Sequence, residues 1–221
     1  LPGTKIVAIL PDVLRTGSRY VRWRECNEKY AKIEEVKLVG CFDASTDVNI
    51  FICKLLVSHN PSKRDLDWWI SNPVSDKPME KIDDYFEIRV GPVVPYRDSQ
   101  DGPSYPYIHA HQLPTWQSIE ANSEFRNFSG TTFAPPFVVV RRTSRPSDKY
   151  RAIGTIITGD HPVAVENHLM VLKPRSNSLD KCMQLLDVLH CNKTNDWLNE
   201  RIRCRHLTVT ALRELPWWIE K

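Results

Sequence analysis

The sequence predicts a mixed α/β protein in two parts, and three observations carry that expectation. Residues 5–10 form an unbroken apolar run that stops at Pro11, followed by a partly periodic stretch reaching Tyr30. Two more apolar runs, 36–42 and 48–58, are separated by only five polar residues. From Tyr85 onward, several short strand-like runs follow one another before a helical stripe at 179–191.

Each element has a local reason. The run 5–10 is apolar on both pleat faces, as a buried parallel strand is. Asp12 can cap a helix, and Leu14, Tyr20, Val21 and Trp23 offer its apolar face, although Gly17 interrupts the pattern. The five-residue loop 43–47 favours a hairpin, because parallel neighbours need a long crossover. Residues 59–84 are polar and proline-bearing, and read as a linker tethered by Trp68-Trp69-Ile70. Strands are expected at 86–90, 107–110, 137–142, 152–158 and 164–172. The helix at 179–191 is expected to bury Leu179, Cys182, Met183, Leu186 and Leu189, with Asn177 or Ser178 as its cap. Short helices are expected around Trp197-Leu198 and 207–215. There is no internal repeat.

Composition excludes several classes. No apolar stretch approaches the ~20 residues of a helical membrane span. The chain opens Leu1-Pro2-Gly3, without a signal-peptide pattern and without Met, and reads as the later part of a longer polypeptide. Six cysteines include no Cys-x-x-Cys pair, and Cys41 and Cys53 lie inside apolar runs. That usage fits reduced thiols in a cytoplasm rather than a disulfide frame. His109-Ala110-His111 has no acid or cysteine spaced to complete a metal site and reads as a polar loop.

Charge is informative only when split. Residues 1–84 carry 13 basic and 13 acidic side chains, so the whole net charge of +3 lies in 85–221. Arg126, Arg141, Arg142, Arg145, Lys149 and Arg151 stand against one acid, Asp148, over residues 126–151. Arginines at strand ends make a stiff cationic surface suited to phosphates and to the acceptor edge of guanine. These six are therefore the candidate DNA-contacting residues. Arg141 and Arg142 are adjacent on one strand and point to opposite faces, so one is expected to meet DNA and the other to pack internally. The competing reading is a solvated sheet edge protected by charge.

Two stretches resemble a known family. Ile6-Val7-Ala8-Ile9-Leu10-Pro11-Asp12-Val13-Leu14-Arg15-Thr16-Gly17-Ser18, then Trp23-Arg24, is similar to a late catalytic-domain segment of DNA adenine-N6 methyltransferases of the restriction-modification type. Gly40-Cys41-Phe42 and Val48-Asn49-Ile50-Phe51-Ile52 resemble the antiparallel pair that closes the methyltransferase sheet. From Phe86-Glu87-Ile88-Arg89-Val90 to Leu215-Pro216, the chain resembles the target-recognition domains of these enzymes and of specificity subunits. Pro135-Pro136-Phe137, Arg141-Arg142-Thr143, Ala164-Val165-Glu166-Asn167 and Leu207-Thr208-Val209 carry that second likeness.

The resemblance implies terminal strands of a Rossmann-like methyltransferase sheet (1–58), a linker (59–84) and a mixed α/β target-recognition domain (85–221). It implies an intact enzyme that flips an adenine out of duplex DNA and methylates it from S-adenosylmethionine. The family's glycine-rich cofactor turn is missing here, since the eight glycines include no Gly-x-Gly. The catalytic Asn/Asp-Pro-Pro-aromatic motif is missing too. Ala134-Pro135-Pro136-Phe137 has alanine where the hydrogen-bonding side chain belongs, and reads as a turn into the next strand. No catalytic, cofactor-binding or metal-binding residue is therefore expected in this chain. The expected partners are double-stranded DNA, the missing catalytic region or a methyltransferase or nuclease subunit, and a possible second copy. The alternative is a non-catalytic specificity subunit or split-methyltransferase partner acting as an interaction module. A fused metal nuclease built on Asp12, Glu166 and Lys173 lacks the required Glu-x-Lys spacing.

Overall fold

The computed structural model describes residues 1–16, 18–42, 48–58, 68, 80–111, 113–202 and 204–219. Gly17, the loop 43–47 and most of the expected linker lie outside the described residues. The protein is mixed α/β, with antiparallel and mixed sheets and few helices. It divides into two compact units, Leu1–Pro78 with Asp196–Arg205, and Met79–Asn195 with His206–Lys221.

In the first unit, β1 (Lys5–Pro11) leads into α1 (Asp12–Thr16), a 3-10 turn (Ser18–Tyr20) and α2 (Val21–Tyr30). Then come β2 (Ala31–Cys41) and β3 (Asn49–Val57), the expected hairpin. The sheet order is β1-β3-β2, with β3 antiparallel to both neighbours. β1 and β2 therefore run parallel to one another, joined by the helical crossover that parallel strands require. The expectation of a buried parallel strand at 5–10 is corrected on pairing and burial. The hydrogen-bonded neighbour of β1 is antiparallel, β1 is an edge, and most of it is exposed.

One face of this sheet is covered. Phe51, Cys53 and Leu55 alternate inward along β3 and pack with Ala31 and Ile33 of β2, Ala8, Leu10, Leu14 and Trp23. Trp68 joins this core, its indole tilted against Trp23 and edge-on to Phe51, and donates from Nε1 to Glu28 Oε1 at 2.8 Å. Burying the indole is favourable only because that polar handle has a partner. Trp69 and Ile70 lie outside the described residues. Arg15 is wholly buried, yet its guanidinium is bound by Asp12 Oδ1 at 3.0 Å, Trp68 O at 3.3 Å and Glu200 O at 2.7 Å. A buried charge needs such saturation. Asp12 serves this pair.

The second unit holds α3 (Ile82–Tyr85), β4 (Phe86–Val90), β5 (Ser104–Ile108), β6 (Ser118–Glu120), β7 (Phe125–Asn127), β8 (Phe137–Arg141), β9 (Gly154–Thr158), β10 (Ala164–Val165) and β11 (Leu169–Pro174). α4 (Leu179–His190) follows, then α5 (Asn192–Arg201), whose residues from Asp196 belong to the first unit, and α6 (Val209–Arg213). A five-stranded sheet runs β4-β11-β8-β9-β6, with β6 parallel to β9 and the other pairs antiparallel. A small sheet, β10-β5-β7, completes the unit. Phe137, Val139, Ile157, Leu169 and Val171 project from the large sheet onto Ile108, Val163 and Val165, forming one core. On the opposite side, α4 packs against β8 and β9. At Gly154 a Cβ would lie 2.7 Å from Leu186 Cδ2 and 3.3 Å from Val138 Cγ1.

Several expectations in this unit need correcting. The strand foreseen at 164–172 is two strands, because Glu166-Asn167-His168 turns between them; Leu169 N donates to Glu166 O at 3.0 Å. The strand foreseen at 107–110 sits at 104–108, and β6 and β7 were not foreseen, being three residues each without an apolar pattern. The helix stripe is rotated. Cys182, Leu185, Val188 and Leu189 are buried, whereas Leu179 and Met183 are exposed. Ser178 is the cap, its side chain accepting from Lys181 N. Ala134–Pro136 does form the turn into β8, held by the Lys173 ammonium, which donates to Ala134 O at 2.6 Å and Pro136 O at 3.2 Å.

Candidate nucleic-acid interface

Five of the six candidate cations lie at the end of β8 and on the connection from β8 to β9, whereas Arg126 lies on β7. β8 is buried over Phe137–Val140, and its apolar anchor delivers Arg141 and Arg142 to the strand's end. Arg141 is half-buried and donates from Nη2 to Leu113 O at 2.8 Å. Arg142 follows it, half-exposed; its main chain is held by His168 O and by Leu207 N. Among the described residues, its guanidinium has no hydrogen-bond or ion-pair partner. Of the adjacent pair, Arg141 is the one whose side chain is tied inward.

Beyond it, Arg145, Pro146, Ser147 and Asp148 make a turn. Asp148 N donates to Arg145 O at 3.0 Å, and Asp148 Oδ2 accepts from Arg145 N at 2.7 Å. The one acid of the cluster is therefore used on backbone, as turn-forming aspartates are. Arg145 and Lys149 flank this turn with exposed side chains, and the Lys149 ammonium stands 5.1 Å from the Tyr150 ring centroid.

Arg126 and Arg151 are placed differently. Arg151 is 1% exposed; its Nε donates to Ser144 Oγ at 3.0 Å and its main-chain N to Asn195 Oδ1 at 2.7 Å. The Asn195 amide also bonds Lys149 O. Arg151, Ser144 and Asn195 thus clamp the base of the loop and set the direction of the exposed cations. Arg126, 9% exposed on β7, donates from Nη2 to Asp98 O at 2.9 Å and lies 5.7 Å above the Tyr107 ring. Burial, with Glu166 adding to it, pushes the Tyr107 hydroxyl up to about 12, so the ring stays neutral beneath the guanidinium. Both of these arginines are buried. The exposed cations at this edge are Arg145 and Lys149, with Arg142 partly exposed beside them.

One structured feature beside the turn was not foreseen. Trp116, Tyr150 and His190 form an aromatic cluster, with Tyr150 stacked on His190 at 4.6 Å and Trp116 edge-on to both rings. The three come from segments far apart in sequence. The only signal was a tyrosine between two basic residues, Lys149-Tyr150-Arg151.

The other candidates resolve into structure. His109 Nε2 pairs with Glu124 at 3.1 Å, and His168 Nδ1 with Glu166 at 2.9 Å. Among the described residues, no group of three His, Cys, Asp or Glu is placed to hold a metal. Asp12 and Glu166 belong to different units. All six cysteines are free, and no described helix is long and apolar enough to cross a membrane. No protein-family model matches the chain, and no curated protein is significantly similar to it.

Proposed function

We propose that this chain supplies sequence-specific recognition of duplex DNA, as the C-terminal part of a restriction-modification type adenine-N6 methyltransferase acting in the cytoplasm. The observation that carries the DNA reading is the clamped β8–β9 turn. It exposes Arg145 and Lys149, with Arg142 partly exposed beside them, while spending its only carboxylate on backbone. Cations fixed on a rigid loop bind phosphate with less ordering cost than mobile ones, and a strand-end arginine can read guanine in the major groove.

The methyltransferase part of the reading is supported by the first unit: two parallel strands, a helical crossover, and an antiparallel strand between them. The helical crossover and the antiparallel pair are what the sequence resemblance implies. The sequence has no Gly-x-Gly turn of the kind the family places against S-adenosylmethionine. Cofactor and methyl transfer belong, in this reading, to the intact enzyme. The exposed outer face of β1 also favours a second reading, in which the chain completes another polypeptide's sheet as a split partner.

The test selects duplexes from a random pool and measures affinity for the enriched sequence and a scrambled control at several salt concentrations. One sequence should be enriched. Changing Arg145 or Lys149 to Ala should weaken all sequences alike and lower the salt slope by about one each. Arg142→Ala should cost ~1–3 kcal/mol and relax one position. Unchanged affinities and slopes in all three variants mean the cluster is a solvated edge.

A further inference from the structure

Beside the cationic turn lies an open cleft of about 400 Å³, lined by Trp116, Ile156, Met183, Leu186 and His190, with Gln117, Ser118 and Asp187 among its polar groups. Its construction is unusual for plain surface. Trp116 holds φ at 61°, a left-handed conformation that is strained for a bulky residue. The strain persists because neighbouring groups fix the backbone on both sides. Leu113 O accepts from Arg141, Pro114 O accepts from Thr155 Oγ1, Trp116 N donates to Gly154 O at 2.9 Å, and Gln117 O accepts from Ile156 N at 2.9 Å. Core burial does not account for it, since the indole stays partly exposed and Met183, across the cleft, is 48% exposed. A soft thioether and aromatic rings left in water are what a flat, polarisable ligand stacks upon.

We infer that this cleft receives an unpaired nucleobase from a DNA strand whose phosphate is held by Lys149, an inference that rests on the DNA-binding reading above. Charge identifies the occupant. The Lys149 ammonium sits over Tyr150, and Tyr150 stacks on His190 in the cleft wall, so cation and aromatic wall are joined by one ring. A phosphate beside an aromatic slot is the arrangement of a nucleotide. Gln117 offers a donor and an acceptor, and Asp187 an acceptor, matching the mixed donor–acceptor edge of an unpaired base.

The test compares two short duplexes of one sequence, one fully paired and one with a single unpaired 2-aminopurine, by fluorescence anisotropy and 2-aminopurine emission. The unpaired duplex should bind about tenfold tighter, in keeping with the stacking of one base on an aromatic surface, and its emission should be quenched. Met183→Glu and His190→Ala, both at exposed positions, should each bring the affinity ratio close to one. Equal affinities for the two duplexes overturn the inference and leave the DNA-binding reading standing. Absence of binding to either duplex overturns both. Quenching of free 2-aminopurine riboside with equal duplex affinities also overturns it, assigning the cleft to a small molecule.

Discussion

Strands β1 and β8 carry similar sequences, Lys-Ile-Val-Ala-Ile-Leu-Pro and Phe-Val-Val-Val-Arg, yet live in opposite surroundings. β8 lies between β11 and β9, with α4 on one side of its sheet and the small sheet's core on the other, and Phe137–Val140 are buried. β1 is an edge, and Val7 and Ile9 are each 64% exposed. The bare face runs in rows across the first unit's sheet, Val7–Lys54–Glu35 and Ile9–Ile52–Lys37. An apolar run records a capacity for burial on both faces; position in the sheet decides whether the chain itself supplies the cover. In the second unit it does. In the first, the described residues cover one face.

The largest test of this difference uses the same substitution in both units. A Cβ at Gly91 would stand 2.1 Å from Glu166 O, a backbone atom fixed between β10 and the turn before β11. Gly91→Ala should therefore cost more than about 4 kcal/mol, or prevent the second unit from folding. Gly40, at φ +115°, meets nothing within 4 Å. Gly40→Ala should cost only its backbone strain, roughly 1–3 kcal/mol. Urea denaturation measures both, and equal costs would erase the contrast between a close-packed and an open sheet.

Side-chain truncation sharpens the same comparison. Phe137→Ala empties a core position and should cost ~3–5 kcal/mol. Ile9→Ala removes a larger side chain than its neighbour Ala8 carries, but from an exposed site, and should stay within ~0.5 kcal/mol. A cost above about 1.5 kcal/mol at Ile9 would mean that another surface covers the bare face in solution.

What was legible in the sequence follows from which signals are local. β4, β8 and α4 stand within a residue or two of where the apolar runs and the Ser178 cap put them, because capping and periodicity are written in neighbouring residues. The hairpin was legible from its loop length. The turn at Glu166–His168 was not, since its residues sit inside an otherwise strand-like stretch and are fixed by backbone bonds between elements. At the candidate interface, the charge cluster could be read but not its division. Arg151 and Lys149 are two residues apart, yet Arg151 is buried and bonded to Ser144 and the distant Asn195, while Lys149 is exposed. The Trp116–Tyr150–His190 cluster joins three remote segments and left no local pattern.

The smallest expected effect lies in the Val7–Lys54–Glu35 row of the bare face. There the Lys54 ammonium hydrogen-bonds the Glu35 carboxylate across the strands, and that bond, reinforced by charge attraction, holds Glu35 below the usual carboxylate range. The same contact raises Lys54. Glu35 thus contributes stability that is fully present above the unfolded carboxylate value of ~4.3 and is lost as pH falls through its lower folded value. The Lys54 contribution is present below ~10.4 and is lost as pH rises through its raised folded value. Glu35→Gln should therefore lower the urea midpoint slightly and evenly between about pH 5 and 10, with the gap to the native protein closing on the acid side. Because both groups face water, the gap should also shrink in high salt. A large gap that ignores salt would place this pair in a low-dielectric interface, and the first unit's outer face would then be covered as thoroughly as β8.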